Sequence, residues 1–169
     1  NLVVNAVSEN NGATIFCKKV PDPHRFGIVE YDQDFKILSI EEKPKNPKSE
    51  FAVTGLYIYD KDSSYYAKTL KKSKRGEFEI IDIIKEYKLT NTVTNYVGRG
   101  TAWFDMGSSE DFFNSSQFVK TIQDRQGLLV CSPHEISYRN EYIDIKNLKN
   151  YMKSIMGSEY SFNLSRSIG

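Results

Sequence analysis

The sequence holds few of the residues from which metal-built or disulfide-stapled domains are made. Its two cysteines, Cys17 and Cys131, lie far apart and form no CxxC pair, and its only histidines are His24 and His134. Structural zinc sites need Cys and His at close, regular spacings, and disulfide frameworks need many more cysteines, so neither is expected. Cys17 sits in an apolar, strand-like run and reads as a buried reduced thiol, which suits a cytoplasmic protein. An excess of one charge is also missing: 23 Lys and Arg face 22 Asp and Glu, a net charge of +1. No overall field would hold the chain on nucleic acid or on an anionic membrane, so any polyanionic ligand must be gripped by local groups. No window approaches the roughly 18 consecutive apolar residues of a membrane span. The opening NLVVNAVSENNGAT has neither the basic start nor the continuous apolar stretch of a signal peptide. Nucleic acid and membrane are therefore not expected as partners.

What is present is ordinary globular composition. With 39% hydrophobic and 27% charged residues over 169 positions, the chain has enough apolar surface for one folded domain. Ala13 to Val20 is rich in strand formers, and Pro21-Asp22-Pro23 ends it because proline cannot continue a ladder. Phe26 to Tyr31 and Lys36 to Glu42 flank Asp32-Gln33-Asp34-Phe35 and read as a hairpin. Phe51 to Tyr59 reads as a largely buried strand, after which Asp60 is placed to cap a helix from about Lys61 to Lys71. Phe78, Ile81, Ile84 and Tyr87 make a slowly drifting stripe that predicts a helix over Glu77 to Leu89. Thr92 to Val97 is β-branched. Ser108 can cap a helix to about Gln126 stopped by Gly127, and Ser132-Pro133-His134-Glu135 is a capping box. Asp144 opens a helix with Ile145, Leu148, Met152 and Ile155 on one face. The tail from Ser158 lacks helical periodicity and reads as a strand, an arm or a partly disordered end. Strands and helices mix over 1–107, and 108–169 is mainly helical.

Four local features could carry chemistry, each with a plainer alternative. In Glu41-Glu42-Lys43-Pro44 a strand runs into proline, which favours an extended backbone before it and sends Glu42 and Lys43 to opposite sides. One could accept hydrogen bonds from sugar hydroxyls while the other meets an anion, or both could belong to a solvated strand end. In Val53-Thr54-Gly55-Leu56-Tyr57 a glycine interrupts a strong strand, marking close approach by a ligand or backbone, or a β-bulge. Tyr57 is then either a platform for a sugar ring or a core aromatic. Arg75-Gly76-Glu77-Phe78-Glu79 opens a predicted helix, where Arg75 could fork onto phosphate, or Glu77 and Glu79 could simply suit the helix dipole. Asp105, in Trp103-Phe104-Asp105-Met106-Gly107, could ligate Mg²⁺ or bond its own turn. The phosphate-loop, dinucleotide, metalloprotease and serine-hydrolase signatures are absent, and Gly98-Arg99-Gly100 alone is a weak glycine signal.

Taken in chain order, these features stop being independent. GATIFCKKVPDPHRFGIVEYD, SIEEKPKNPKS, FAVTGLYIYD, KRGEFEIIDI, VGRGTAWFDMGS and TIQDRQGL closely resemble the bacterial glucose-1-phosphate thymidylyltransferases, of the sugar-phosphate nucleotidyltransferase family, over about Gly12 to Arg139. The resemblance implies an α/β fold, part of the Rossmann-like mixed nucleotidyltransferase sheet, with sugar-binding strands followed by C-terminal helices. It implies a reaction in which glucose 1-phosphate attacks the α-phosphorus of dTTP, giving dTDP-glucose and pyrophosphate, with Mg²⁺ offsetting charge on the phosphates. By match to the family's motifs, Gly27 would approach the sugar, Glu42 would bind its hydroxyls and Lys43 would hold its phosphate. Val53 and Tyr57 would line the pocket, Arg75 would assist at phosphate, Trp103 would close the pocket, and Asp105 would be a metal ligand.

The family's glycine-rich nucleotide loop, base-recognising segment and second metal aspartate belong before Asn1. The chain is therefore expected to be a single incomplete domain, the sugar-phosphate half of the enzyme, making no dTDP-glucose alone and carrying none of the catalytic groups of the nucleotide half. The C-terminal helices are expected to form homo-oligomer contacts and part of a regulatory nucleotide site near Gly98-Arg99 and Arg125. A non-catalytic sugar-phosphate-binding or regulatory module is the alternative of a different class. A nucleic-acid-binding domain using Lys71 to Arg75 is disfavoured because the nearby aromatics fall at core positions.

Overall fold

The computed structural model describes residues 2–87 and 89–168, and Lys88, inside the helix expected over Glu77 to Leu89, lies outside the described residues. The chain forms two compact units, Asn1–Trp103 and Phe104–Gly169. In chain order the elements are α1 (Leu2–Glu9), β1 (Ala13–Lys19), β2 (Gly27–Tyr31), β3 (Ile37–Glu42), β4 (Phe51–Tyr59), α2 (Ser63–Thr69), α3 (Ile80–Glu86) and β5 (Thr92–Tyr96), followed by α4 (Ser109–Gln126), α5 (Pro133–Arg139), α6 (Ile145–Ser154) and α7 (Glu159–Ile168).

The first unit is a five-stranded mixed sheet in the order β3-β2-β4-β1-β5. β1 runs parallel to β5 and antiparallel to β4, while β2 pairs antiparallel with both β3 and β4. Alternation along each strand decides what faces what. Ile15 and Cys17 of β1, Val29 of β2, Ile40 of β3 and Val53 of β4 form one buried cluster with Ile81 and Ile84 of α3. The residues between them, Ile28 and Ala52, join Val20 in a separate cluster covered by Phe26 and Trp103. Cys17 is the buried thiol its sequence context suggests, and desolvation pushes it up to about 11.

Where β4 crosses β1 the ladder slips. Ile15 pairs with Tyr57 and Cys17 with Val53, so β4 carries extra residues against β1. Gly55 sits in that bulge at φ +80, with open space where a Cβ would project. Of the two roles open to this glycine, the structure contains the bulge.

Three sequence expectations need correction. Asp60 does not cap α2; its Oδ1 accepts from the Asp62 N–H and the Tyr87 hydroxyl, forming an Asx turn, and the helix runs only Ser63–Thr69. α3 begins at Ile80, not near Glu77, because Gly76 at φ +81 turns the chain and Glu79 is extended at the N-cap position. Phe78 therefore leaves the stripe and is exposed, while Ile81, Ile84 and Tyr87 stay buried. The tail is the helix α7; Ser161 and Leu164 are buried, and serines between the apolar positions mask the period in the sequence.

In the second unit the capping signals act as expected. Ser108 Oγ accepts from the Asp111 N–H, Ser132 Oγ from Glu135 and Asp144 Oδ1 from Asn147, and Gly127 closes α4 in the left-handed conformation. Leu148 and Leu164 are fully buried in this unit. The His134 ring stacks on Tyr151 at 3.7 Å and its Nδ1 lies 3.0 Å from the Tyr160 hydroxyl.

Ile84 and Ile80 share α3 but not its environment, with exposures of 0% and 48%. Ile84→Ala is expected to lower the unfolding free energy by about 2–5 kcal/mol, and Ile80→Ala by well under that. Urea denaturation of the two variants checks the burial assignment, and equal losses would contradict it.

Candidate functional site

The site grows from one cross-strand pair. β2 and β3 are in register so that Gly27 lies opposite Glu42. A Cβ on Gly27 would stand 3.1 Å from Glu42 Oε2 and 3.3 Å from the Ile81 Cγ2 methyl, with a Val53 methyl at 3.9 Å. The absence of a side chain at 27 is what lets the Glu42 carboxylate lie over the strand. Glu42 follows Ile40 by two residues, so it projects from the face that carries α3.

Arg75 reaches this carboxylate from the turn before α3. Its Nη1 lies 3.7 Å from Glu42 Oε1 and 3.4 Å from Glu79 Oε1, and its Nη2 lies 3.0 Å from Glu77 Oε2. Burial, and then the negative charge of Glu79, push the Glu42 carboxyl above the ordinary carboxylate range, with Lys43 and Arg75 pulling the other way. The Tyr57 phenol, half-buried and near Glu42, is pushed up to about 12 and stays a neutral donor. Its ring stacks on Tyr59 at 5.8 Å, and Tyr59 in turn on Tyr87 at 5.8 Å, a ladder that fixes its plane.

Lys43 corrects the extended backbone expected before Pro44. It adopts φ +44, its N–H donates to the Phe26 carbonyl at 3.0 Å, and its side chain is exposed. A lysine held left-handed before a proline is a strained position, maintained here by that hydrogen bond and by the buried Pro44.

Gly27, Glu42, Val53, Tyr57 and Arg75 thus gather on one face of the sheet around Ile81. Trp103 packs edge-on against Phe26 at 5.2 Å in the cluster of the opposite face, and its indole N–H donates to the Thr54 carbonyl at 3.0 Å. Asp105 belongs to the second compact unit, where one of its carboxylate oxygens lies 3.1 Å from the position of a Gly107 Cβ. Sequence reasoning passed over two contributors. Ile81 reads from the sequence as core, and Glu79 as a residue suited to a helix dipole; the signal for Glu79 is an acidic residue two positions before the buried Ile81.

A magnesium ion would find one carboxylate in Asp105. Among the described residues no group of three or more His, Cys, Asp and Glu side chains could hold a metal. Magnesium is commonly held by one or two carboxylates together with substrate phosphates. The residues present do not by themselves make a magnesium site.

A mixed sheet with a polar cluster at the meeting of β2, β3 and the turn before α3 is consistent with one class in particular. The family model for nucleotidyl transferases matches residues 1–122, and the chain belongs to that family. Within it, the chain is 41% identical to a glucose-1-phosphate thymidylyltransferase of Neisseria gonorrhoeae, over 97% of this chain and 57% of that protein. It is 43% identical to one from Mycolicibacterium smegmatis, over 91% and 54%. A Bacillus anthracis crystal structure described as a glucose-1-phosphate thymidylyltransferase, in complex with sucrose, aligns with a TM-score of 0.59 at 38% identity, covering 69% of this chain and 46% of that one. A UDP-glucose pyrophosphorylase bound to UDP-glucose, at 21% identity and a TM-score of 0.56, shares the fold over 65% and 44%. The chain spans about half the length of the curated relatives it matches.

An acid whose pKa is higher in the folded than in the unfolded chain stabilises the fold below its unfolded pKa, and that contribution is lost as pH rises through the folded value. Glu42 is such an acid. Glu42→Gln is expected to raise the urea midpoint over wild type at about pH 7, with the gain vanishing at about pH 4. A gain that persisted or grew in acid would contradict the burial of this carboxylate.

Proposed function

We propose that this chain carries the sugar-phosphate-binding half of a glucose-1-phosphate thymidylyltransferase. The reaction joins an oxygen of the sugar 1-phosphate to the α-phosphorus of dTTP as the bond to the leaving pyrophosphate breaks. The substrate supplies the nucleophile, so the protein's work is positioning and charge neutralisation. The observation that carries the reading is the Gly27–Glu42 pair, a bare backbone beside a half-buried carboxylate with Arg75 and Lys43 at its margins.

In this reading the backbone at Gly27 comes close to the hexose, and Glu42 accepts hydrogen bonds from its hydroxyls. Val53 and the fixed ring of Tyr57 present apolar surface to the sugar, and Trp103 stiffens β4 through Thr54. Lys43 meets the phosphate as a point charge and Arg75 as a fork. Magnesium is the proposed cofactor, and Asp105 would supply it one carboxylate, the remaining ligands not being provided by the described residues. dTTP is the proposed second substrate, the parent enzyme a cytoplasmic homo-oligomer. Support comes from the sequence identity to thymidylyltransferases across nearly the whole of this chain. No helix among the described residues is long and apolar enough to cross a membrane.

Calorimetric titration of the chain with glucose 1-phosphate tests the reading. Binding is expected, and Lys43→Ala and Arg75→Ala should each weaken it by roughly tenfold or more, the weight of a lost charge-assisted contact. Affinity indifferent to both substitutions, or no binding by the wild-type chain, would overturn it.

A further inference from the structure

Three carboxylates surround the Arg75 guanidinium, and they are not equivalent. The Glu77 side chain, 61% exposed, is screened by solvent, and its 3.0 Å contact adds little. Glu42 stands farther off at 3.7 Å. Glu79 is 9% exposed as a residue, and its Oε1 is held twice, by the Ser73 hydroxyl at 2.8 Å and by Arg75 Nη1 at 3.4 Å. A carboxylate this buried, placed near a second one, is costly unless its partners are fixed.

The partners are fixed by the turn itself. The Ser73 N–H donates to the Glu77 carbonyl at 2.8 Å, the Gly76 N–H to the Ser73 carbonyl at 2.9 Å, and the Arg75 N–H to Ser73 Oγ at 3.1 Å. Gly76 supplies the positive φ that closes the loop. Ser73 therefore holds the Arg75 backbone while presenting its hydroxyl to the group that holds the Arg75 side chain.

We propose that Glu79 is a positioning residue that, braced by Ser73, anchors the Arg75 guanidinium beside Glu42 so that its fork faces a sugar phosphate. This rests on the sugar-phosphate reading of the site. Without Glu79, Arg75 keeps among the described residues a solvent-screened partner in Glu77 and a longer-range one in Glu42, and its rotamers spread. Glu79 also acts on Glu42 as a like charge, together with Asp82 and against Lys43 and Arg75, with the neutral Tyr57 phenol beside it. Removing the Glu79 charge lets Glu42 ionise at lower pH.

The test has two arms on the 169-residue chain. Nitrogen-15 NMR of the Arg75 Nε–Hε group in the free protein reads the anchor: restricted, slowly exchanging signals are expected in wild type and Glu77→Gln, and averaged ones in Glu79→Gln. A restricted signal surviving in Glu79→Gln would overturn the anchoring whether or not a ligand binds. Titration with glucose 1-phosphate reads the consequence. Glu79→Gln should weaken binding by about tenfold, as expected for loss of a charged hydrogen bond, and Glu77→Gln by under about twofold. The carbon-13 shift of the Glu42 carboxyl should titrate at lower pH in Glu79→Gln, a change that mere loosening of the turn would not produce. Unchanged affinity in Glu79→Gln would overturn the proposal, whereas failure of wild type to bind would overturn the sugar-phosphate reading beneath it. Should Glu79→Gln not fold, Ser73→Ala removes the brace alone and should loosen the Arg75 signal and weaken binding by smaller amounts, while the Glu42 titration, with the Glu79 charge still present, stays in place; an unchanged Arg75 signal would overturn the brace.

Discussion

The site depends on a close approach: the Glu42 carboxylate and the Ile81 side chain crowd residue 27, where only glycine leaves both undisturbed. β2 and β3 bring Gly27 and Glu42 into register, and α3 presses Ile81 up beneath them, so that a methyl at 27 would meet both a carboxylate oxygen at 3.1 Å and a side-chain methyl at 3.3 Å. The same close packing that buries Ile81 in the sheet-helix core fixes where the carboxylate can go. Core and site are therefore one structure, with the apolar residues of alternate positions setting the register and the polar end of that register forming the cluster. A slip of one residue between β2 and β3 would turn Glu42 to the face of Ile28 and Ala52 and dissolve it.

Such an arrangement costs stability and is paired with fixed elements around it. Glu42 is held above its ordinary pKa by burial and by Glu79, Lys43 sits left-handed, and Arg75 is shared among three carboxylates. Fixed elements stand beside them: Pro44 and the Phe26 carbonyl beside Lys43, the Ser73 turn beside Arg75, and the stacked tyrosines beside Tyr57. Strained positions recur at binding sites, and Lys43 is one of four non-glycine residues held left-handed among the described residues, with Phe35, Cys131 and Glu141.

The strands could be read from the sequence because their signals are local. Pro21 and Pro23 end β1, the Asp32 to Phe35 turn splits the hairpin, and β4 spans the residues its composition marks. Ser108, Ser132, Asp144 and Gly127 place the helix ends of the second unit for the same reason. What escaped depends on geometry the sequence does not spell out. The start of α3 was hidden by Phe78, whose place in the apolar stripe is real in spacing and void in space, because Gly76 turns the chain first. α7 was hidden because its buried face includes a serine, Ser161, beside Leu164. Gly55 could not be told from a ligand contact until the register slip was seen. The grouping of Glu42 with Glu79, thirty-seven positions apart, is visible only once α3 lies on the sheet.

The central claim is that a sugar phosphate lies on the face carrying Gly27, Glu42 and α3. Carbon-13 NMR of side chains during titration with glucose 1-phosphate reads that face directly. The Glu42 carboxyl and the methyls of Val53 and Ile81 are expected to shift in step with ligand, while the methyls of Val20 and Ile28, on the opposite face, stay in place. Shifts at Val20 and Ile28 with Glu42, Val53 and Ile81 unmoved would contradict it.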